Sequence, residues 1–318
     1  MRLTITPKNF TPGRLDLLEK AQGIIEDFES MGYQLTLRQL YYQLVAADLL
    51  PNQQNEYKKL GSLISDARWA GLVDWEAIED RTRNVSQRAS WDSPTDIMEA
   101  VASQYHEPLH LEQDHYIEVW VEKDALIGVI EKSVRSYDVP CMACRGYISS
   151  SEAFSAVRRI RRVLDEAAID EVTILHLGDH DPSGIDMTRD LEDRLNALAG
   201  HEEGTWYPSF NINVERIALN MDQIRSYQPP PNPAKLSDSR AGDYVKKYGR
   251  SSWELDALRP DVIDRMVKTH LEQRLDMDII ARGQRRIEER KKQLRTIANS
   301  FDQAVELVEQ WQRGEGNE

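Results

Sequence analysis

Cysteine is scarce in this chain of 318 residues: two occur, Cys141 and Cys144. Structural zinc normally needs four ligands, and no second pair exists, so VPCMACRGY reads as a strand with two reduced structural cysteines. Long apolar runs are missing as well. None approaches the roughly 20 residues of a membrane-spanning helix. The opening MRLTITPKNF holds no apolar stretch of signal-peptide length. A cytoplasmic protein without a membrane partner is therefore expected. Positive charge is in the minority: Lys and Arg total 40 against 54 Asp and Glu, a net charge of −14. That balance excludes a protein that simply coats nucleic acid. It leaves room for an enzyme with a local basic groove and a carboxylate metal site. No G-x-x-x-x-G-K-[ST] segment occurs, which excludes a recognisable P-loop ATPase. No internal repeat is visible.

Hydrophobic residues at 40% and charged residues at 30% suit a packed core, and the length suits two domains. Residues 13–30 place Leu15, Leu18, Ala21, Ile24, Ile25 and Phe28 on one helical face. Thr36 is a predicted N-cap for a second helix, LRQLYYQLVAADLL, which Pro51-Asn52 ends. A third helix over about 55–70 has Tyr57, Leu60, Ile64 and Ala67 at core spacing. An extended segment is expected from Gly71 to about Asn84. Three helices and a ribbon suggest a winged helix-turn-helix that docks double-stranded DNA. Its recognition helix would point Lys58, Lys59, Ser62, Ser65 and Arg68 outward; the plainer reading is a small helical domain with solvated charges.

From Ser93-Pro94-Thr95-Asp96, a strong helix start, the pattern changes. YIEVWVE (116–122), VPCMAC (139–144) and EVTILHLGD (171–179) read as strands. ALIGVIEKSVRSY, SEAFSAVRRIRRVLDEA and SGIDMTRDLEDRLNAL read as the intervening helices, and FNINVERIAL offers a fourth strand. Such alternation implies a parallel, Rossmann-like α/β sheet with helices on its faces. Pro229 to Pro233 reads as a rigid linker, and the tail from about 261 as a charged helix. Within it RGQRRIEERKKQLR carries seven basic and two acidic residues. It reads either as a phosphate-binding helix or as one packing through Ile287, Leu294, Ile297 and Phe301.

Ligands of open parallel sheets bind beyond the carboxyl ends of the strands. Glu122 ends the first strand; Asp179 and Asp181 end the third and, two apart, face the same side. Three converging carboxylates repel unless a cation joins them, and magnesium, a hard ion that keeps waters for a phosphate, fits. Gly178, Pro182 and Gly184 form a tight turn around the acids.

VEKDAL around Glu122 and GDHDPSGIDM (178–187) resemble the two signature segments of a Toprim domain. The D-P-x-G form resembles topoisomerase VI A subunits. LTLRQLYY (35–42) is similar to the R-x-x-Y-Y segment in the winged-helix domain of that superfamily, which includes the meiotic double-strand-break proteins and short bacterial mini-A relatives. The layout so implied is a winged-helix domain at 1–90, a linker helix at 91–112, a Toprim domain at 113–228 and a Pro-rich linker with charged helical tail at 229–318. The resemblance implies Mg2+ at Glu122, Asp179 and Asp181, and a nucleophile at Tyr42 that forms a 5′-phosphotyrosyl link. It also implies a homodimer in which one subunit's tyrosine serves the other's acids, and a separate ATPase subunit for strand passage. Lys123 after the glutamate departs from the family pattern, and the distinct segment NPAKLSDSRAGDYVKKYGRSSWELDAL (232–258) is assigned no family role.

Helical phase agrees on the tyrosine. Leu37, Leu40, Tyr41, Leu44 and Val45 form one stripe that must face a core. Tyr42 lies about 100° away, on the side of Arg38. It is therefore expected to be exposed, with Arg38 favouring the phenolate. Lys123 is expected either to contact the scissile phosphate or to pair with an acid. Glu254 and Asp256 offer a second metal site or a helix cap. Arg158, Arg159, Arg161 and Arg162 offer a DNA channel or a solvated face. His176 reads as a core histidine; His180 could touch phosphate. The function expected is Mg-dependent DNA cleavage by tyrosine transesterification. The alternatives are a Toprim nuclease that hydrolyses with metal-activated water, as in some defence systems, and a non-catalytic winged-helix regulator.

Overall fold

In chain order the computed structural model contains helices α1 (Pro12–Ser30), α2 (Leu37–Ala46), α3 (Gln54–Trp69) and α4 (Pro94–Gln104), then β1 (His115–Val121), α5 (Ile127–Val134), β2 (Cys141–Ala143), α6 (Ser150–Glu166), β3 (Glu171–Leu177), α7 (Pro182–Ala199) and β4 (Asn213–Ala218). Helix α8 (Met221–Tyr227), β5 (Asn232–Pro233), α9 (Ala241–Tyr248), β6 (Ser251–Ser252), α10 (Pro260–Glu272), α11 (Met277–Asn299) and α12 (Phe301–Gln312) follow. The structure describes residues 4–79, 88–167, 169, 171–200 and 210–313. Two compact units emerge, Met1–Arg83 with Asp114–Arg274, and Asn84–Gln113 with Leu275–Glu318. Among the described residues no helix is long and apolar enough to cross a membrane.

The first unit is built on a four-stranded, wholly parallel sheet of order β2-β1-β3-β4. β1 shows why this segment is a central strand. Tyr116 and Trp120 face the apolar cluster under α6 and α7, whereas Ile117, Val119 and Val121 face the other side. Glu118 shares the first face and is buried, yet fully satisfied. It accepts from the Tyr116 hydroxyl (2.9 Å), from Trp120 Nε1 (2.8 Å) and from both ends of the Arg159 guanidinium at 3.0 and 2.8 Å. This corrects the arginine cluster. Arg159 is held by Glu118, and Arg161 is buried with its Nη2 donating to the Ala199 carbonyl at 3.1 Å, leaving Arg158 and Arg162 exposed. From β1 the chain goes first to β2 on one side, then across to β3 and β4 on the other. The switch point lies between β1 and β3, where Glu122 and Asp179 emerge.

In the helical part, Thr36 caps α2 as predicted, in a capping box with Gln39. Leu60, Leu63, Ile64 and Ala67 of α3 are buried, while Lys58, Lys59, Ser62 and Ser65 are exposed. Arg68 is not. It turns inward, where Nη2 donates to the carbonyls of Trp75 (3.0 Å) and Ile78 (2.6 Å) and the guanidinium sits over the Trp75 ring. The described part of the expected ribbon, 71–79, is a series of bends with one bridge between Leu35 and Ile78; the remainder to 84 lies outside the described residues. Gly71, at φ +74, ends α3 in a left-handed turn, and Arg68 pins the bends that follow.

Pro229 to Pro233 is not a free linker. Asn232–Pro233 pair antiparallel with Ser251–Ser252, and His180 and Trp253 exchange backbone hydrogen bonds of 2.8 and 3.0 Å. The 232–257 segment is thereby fastened to the loop after β3.

In the second unit Ile280 and Ile287 of α11 pack against Leu109 and Tyr105. Arg286 bridges Glu107 (2.5 Å) and Glu112 (2.7 Å). The packing reading of this helix therefore holds for Ile287. Ile297 is exposed instead.

Candidate metal centre and tyrosine cleft

β1 and β3 run in register from His115/Glu171 to Val121/Leu177, so Glu122 and Asp179 leave the sheet side by side. The Asp179 backbone N–H donates to Glu122 Oε2 at 2.9 Å. Asp181 caps α7 by accepting from the Gly184 amide at 2.6 Å. Gly184 is required there: a Cβ would lie 2.2 Å from the Asp179 carbonyl oxygen. Arg216 of β4 holds the loop from behind. It donates to the carbonyls of Gly178 (2.9 Å), Asp179 (2.6 Å) and Gly184 (2.9 Å). Sequence reasoning missed it, although a charged residue in β4 was the available signal.

The carboxylate cluster is not the one expected. Among the described residues, the acids whose ligand oxygens lie within 4.8 Å of one another are Asp179, Glu254 and Asp256. Glu122 and Asp181 border this triad. WELDAL thus joins the strand-end site and forms no second one. Leu255 N–H donates to Asp179 Oδ1 at 2.7 Å, and the short turn Leu255–Ala257 buries Asp256 completely.

Lys123 lies at the centre of the triad. Its Nζ is 2.8 Å from Asp179 Oδ2, 3.1 Å from Asp256 Oδ1, and in contact with Glu254 Oε2. Of the two roles considered, acid pairing is the one present. Arg38 closes the opposite side, with Nε 2.8 Å from Asp256 Oδ2 and Nη2 on Glu254. Electrostatics follow from burial. It raises the Asp179 carboxyl, with Glu122, Asp256 and Glu254 adding to the effect and Lys123 opposing it. Burial also raises Glu122. For Glu254 burial acts in the same sense, but Lys123 and Arg38 outweigh it and hold the carboxyl at about 2. Five acids, Glu122, Asp179, Asp181, Glu254 and Asp256, face three bases, Arg38, Lys123 and Arg216, a formal excess of two negative charges.

Tyr42 is buried, against the expectation of exposure, at 5%. The Leu255–Ala257 turn packs on α2, and Gln43 Nε2 reaches the Ala257 carbonyl at 3.4 Å, so the side of α2 that phase alone leaves free is covered. The Arg38 guanidinium stands 5.6 Å from the Tyr42 ring centroid. The phenol is nevertheless harder to ionise than usual. Burial comes first, then the charges of Glu254 and Asp256, against which Arg38 and Lys123 work. Tyr41 is buried as predicted, its hydroxyl accepting from the Gln53 N–H at 2.8 Å. A cleft of about 510 Å³ opens beside these groups, lined by Arg38, Tyr42, Asp181 and Glu254 among others. His180 does not reach it. It is buried, its Nδ1 2.8 Å from the Tyr244 hydroxyl, and ringed by Tyr248 and Trp253. His176 is a core histidine as expected, with Nδ1 2.8 Å from Thr188 Oγ1. Cys141 and Cys144 are free thiols.

The donor set is wholly carboxylate oxygen, which suits a hard cation and not a soft one. A buried triad of this kind can hold a metal ion. No protein-family model matches the sequence, and no curated protein is significantly similar to it.

Proposed function

We propose that this protein is a magnesium-dependent enzyme that cuts DNA strands, with a winged-helix-like and Toprim-like layout, and that Tyr42 attacks the phosphodiester. The observation that carries this reading is the cleft itself, where Tyr42 and Arg38 share one opening with Asp181 and Glu254 at the switch point of a parallel sheet. Asp179, Glu254 and Asp256, bordered by Glu122 and Asp181, would hold the ion. Bound magnesium would supply charge neutralisation for the phosphate and for the departing oxygen.

The chain's own groups account for the remaining chemistry. Tyr42 Oη forms the new bond to phosphorus, its proton passing to water or to a cleft carboxylate. The bond from phosphorus to the 3′-oxygen breaks, and that oxygen takes up a proton. Arg38 is a bidentate partner for a phosphate once it releases Glu254 and Asp256. Lys58 and Lys59, exposed on α3, supply sequence-independent contacts to the duplex backbone. Two such sites related by the DNA dyad make a double-strand cut, so a homodimer belongs to this reading, with a separate ATPase subunit if strands are to be passed.

One observation favours a second reading. A tyrosine buried at 5% and surrounded by acids is a reluctant nucleophile, and hydrolysis by activated water needs nothing from it. Supercoiled plasmid incubated with the protein and magnesium, then denatured with and without protease, separates the two. Protein-linked 5′ ends that vanish in Tyr42→Phe and persist in Tyr41→Phe support transesterification. Free ends with undiminished cleavage by Tyr42→Phe support the nuclease. No cleavage by the wild-type chain removes both and leaves a DNA-binding role.

A further inference from the structure

The tyrosine cleft contains one cation that none of the chemistry above uses. Of the two basic residues that line it, Arg38 is bonded to Glu254 and Asp256, and the other is Lys235. Lys235 is exposed, and among the described residues its ammonium has no ion pair and no hydrogen bond. The acids lining the cleft do not hold it: Glu254 is taken by Arg38 and Lys123, and Asp181 accepts from the Gly184 amide. The backbone that carries the lysine is fixed. Ala234 is buried, and its N–H donates to the Arg250 carbonyl at 2.9 Å. Asn52 Nδ2 donates to Asn232 Oδ1 at 2.6 Å, which ties this edge of the cleft to the turn before α3. The stem of Lys235 is therefore anchored at the cleft while its charged end is unclaimed.

The surrounding segment shares this character. Residues 234–250 contain five basic residues, Lys235, Arg240, Lys246, Lys247 and Arg250, against two acidic ones, Asp238 and Asp243, in a chain whose net charge is −14. Arg240 is committed, 2.9 Å from Asp186 and 3.1 Å from Asp238. Lys246 is 3.3 Å from Asp243, but both side chains are exposed, so the pair is weak. Lys247 and Arg250 are exposed and have no acidic partner among the described residues. A free phosphate or a mononucleotide has no use for cations beyond the first; a nucleic-acid strand, with a charge at every residue, does. Lys235 stands outside the carboxylate cluster, whose negative excess it offsets only in part, and an ammonium with three rotatable donors suits a phosphodiester oxygen.

We infer that Lys235 is the phosphate-binding residue of the cleft: it takes hold of the DNA strand while Arg38 is still on its carboxylates, and Lys247 and Arg250 extend the contact along the backbone. The inference rests on the reading of the cleft as the place where DNA enters.

Two measurements on the full chain test it. In the first, a labelled duplex is titrated in calcium, so that binding is read without turnover, and plasmid cleavage is followed in magnesium. Lys235→Gln should flatten the slope of log affinity against log salt by about one. It should raise KM about three- to tenfold, with a smaller effect on kcat. Lys235→Arg should restore the slope, and Lys20→Gln, an exposed lysine on α1, should change neither quantity. In the second, lysines of the wild type are acetylated with and without duplex in calcium and read by mass spectrometry. Duplex should slow labelling of Lys235 at least fivefold and leave Lys20 unprotected. Equal labelling of Lys235 in both conditions, or a slope and KM unchanged in Lys235→Gln, overturns the inference even if the wild type cuts plasmid. A wild type that protects Lys235 yet cuts nothing refutes the catalytic reading and keeps this one. A wild type that neither binds nor cuts DNA overturns both.

Discussion

Lys123→Met is the most informative single change at the candidate metal centre, because the lysine's ammonium stands among the carboxylates that would hold a cation. Lys123 is 2.8 Å from Asp179 and 3.1 Å from Asp256, with its side chain only 16% exposed. Methionine keeps most of the stem's volume and removes the charge. Breaking a buried ion pair by deleting one partner costs about 3–5 kcal/mol. The lower end applies here, since Arg38 still bonds Glu254 and Asp256 and the raised Asp179 carboxyl can take up a proton. At about 2–4 °C per kcal/mol for a unit of this size, the melting temperature should drop by roughly 6–12 °C in EDTA. Magnesium should then restore part of the loss. An ion at a hundredfold excess over its dissociation constant returns about 2.7 kcal/mol. In the wild type the same ion must first displace the ammonium, so its stabilisation should be smaller. Differential scanning calorimetry of both proteins, with EDTA and with a magnesium series, measures the two terms. A magnesium shift no larger in Lys123→Met than in wild type would refute the claim that the lysine and a cation compete for one place.

Gly184→Ala should destabilise the fold by several kcal/mol, of order 3 or more, because its Cβ would meet the Asp179 backbone, the carbonyl oxygen at 2.2 Å and its carbon at 3.0 Å; chemical denaturation checks it, and a near-neutral result would mean the loop relaxes freely. Lys58→Glu/Lys59→Glu should weaken duplex binding across sequences and flatten the slope of log affinity against log salt by about two, read by fluorescence anisotropy. An unchanged slope would take α3 off the DNA.

The parts legible in the sequence are those carried by local periodicity. Tyr116 and Trp120 alternate with Ile117, Val119 and Val121, and this pattern fixed β1 and with it the place of Glu122. Asp179 and Asp181 followed from the strand before them and the D-P-S-G turn after. The misreadings share a cause. Glu254 and Asp256 reach Asp179 from some seventy-five residues downstream, delivered by backbone pairing between His180 and Trp253. No periodicity marks such a delivery. The same segment covers α2, so Tyr42, correctly placed off the core stripe by helical phase, is buried by chain that phase cannot see. Arg68 failed for a similar reason: its partners are carbonyls of the bends that follow α3, and carbonyls have no signature in side-chain pattern. WELDAL is recognisable in the sequence as an acid pair two residues apart, but local pattern carries no information on where the pair is delivered.

Charge decides the order in which the cleft can be filled. A DNA phosphate carries a negative charge, and the cleft already holds two more acids than bases. Arg38 and Lys123, the cations a phosphate would seek, are occupied by Glu254, Asp256 and Asp179. Without a divalent ion, a phosphate entering the cleft must both overcome that excess and break those pairs. A divalent ion held by the carboxylates would cancel the excess and would let Arg38 release them for a phosphate. The expected outcome is a magnesium requirement for DNA engagement in the cleft as well as for cleavage, at constant ionic strength. Asp179→Asn removes one of the five acids, so it should relax the requirement for binding while removing cleavage. Calcium in place of magnesium, in a footprinting or anisotropy assay, separates binding from turnover. If the wild type bound duplex equally well in EDTA and in calcium at matched ionic strength, the phosphate would not be entering this cleft, and the contacts would lie on α3 or elsewhere on the surface.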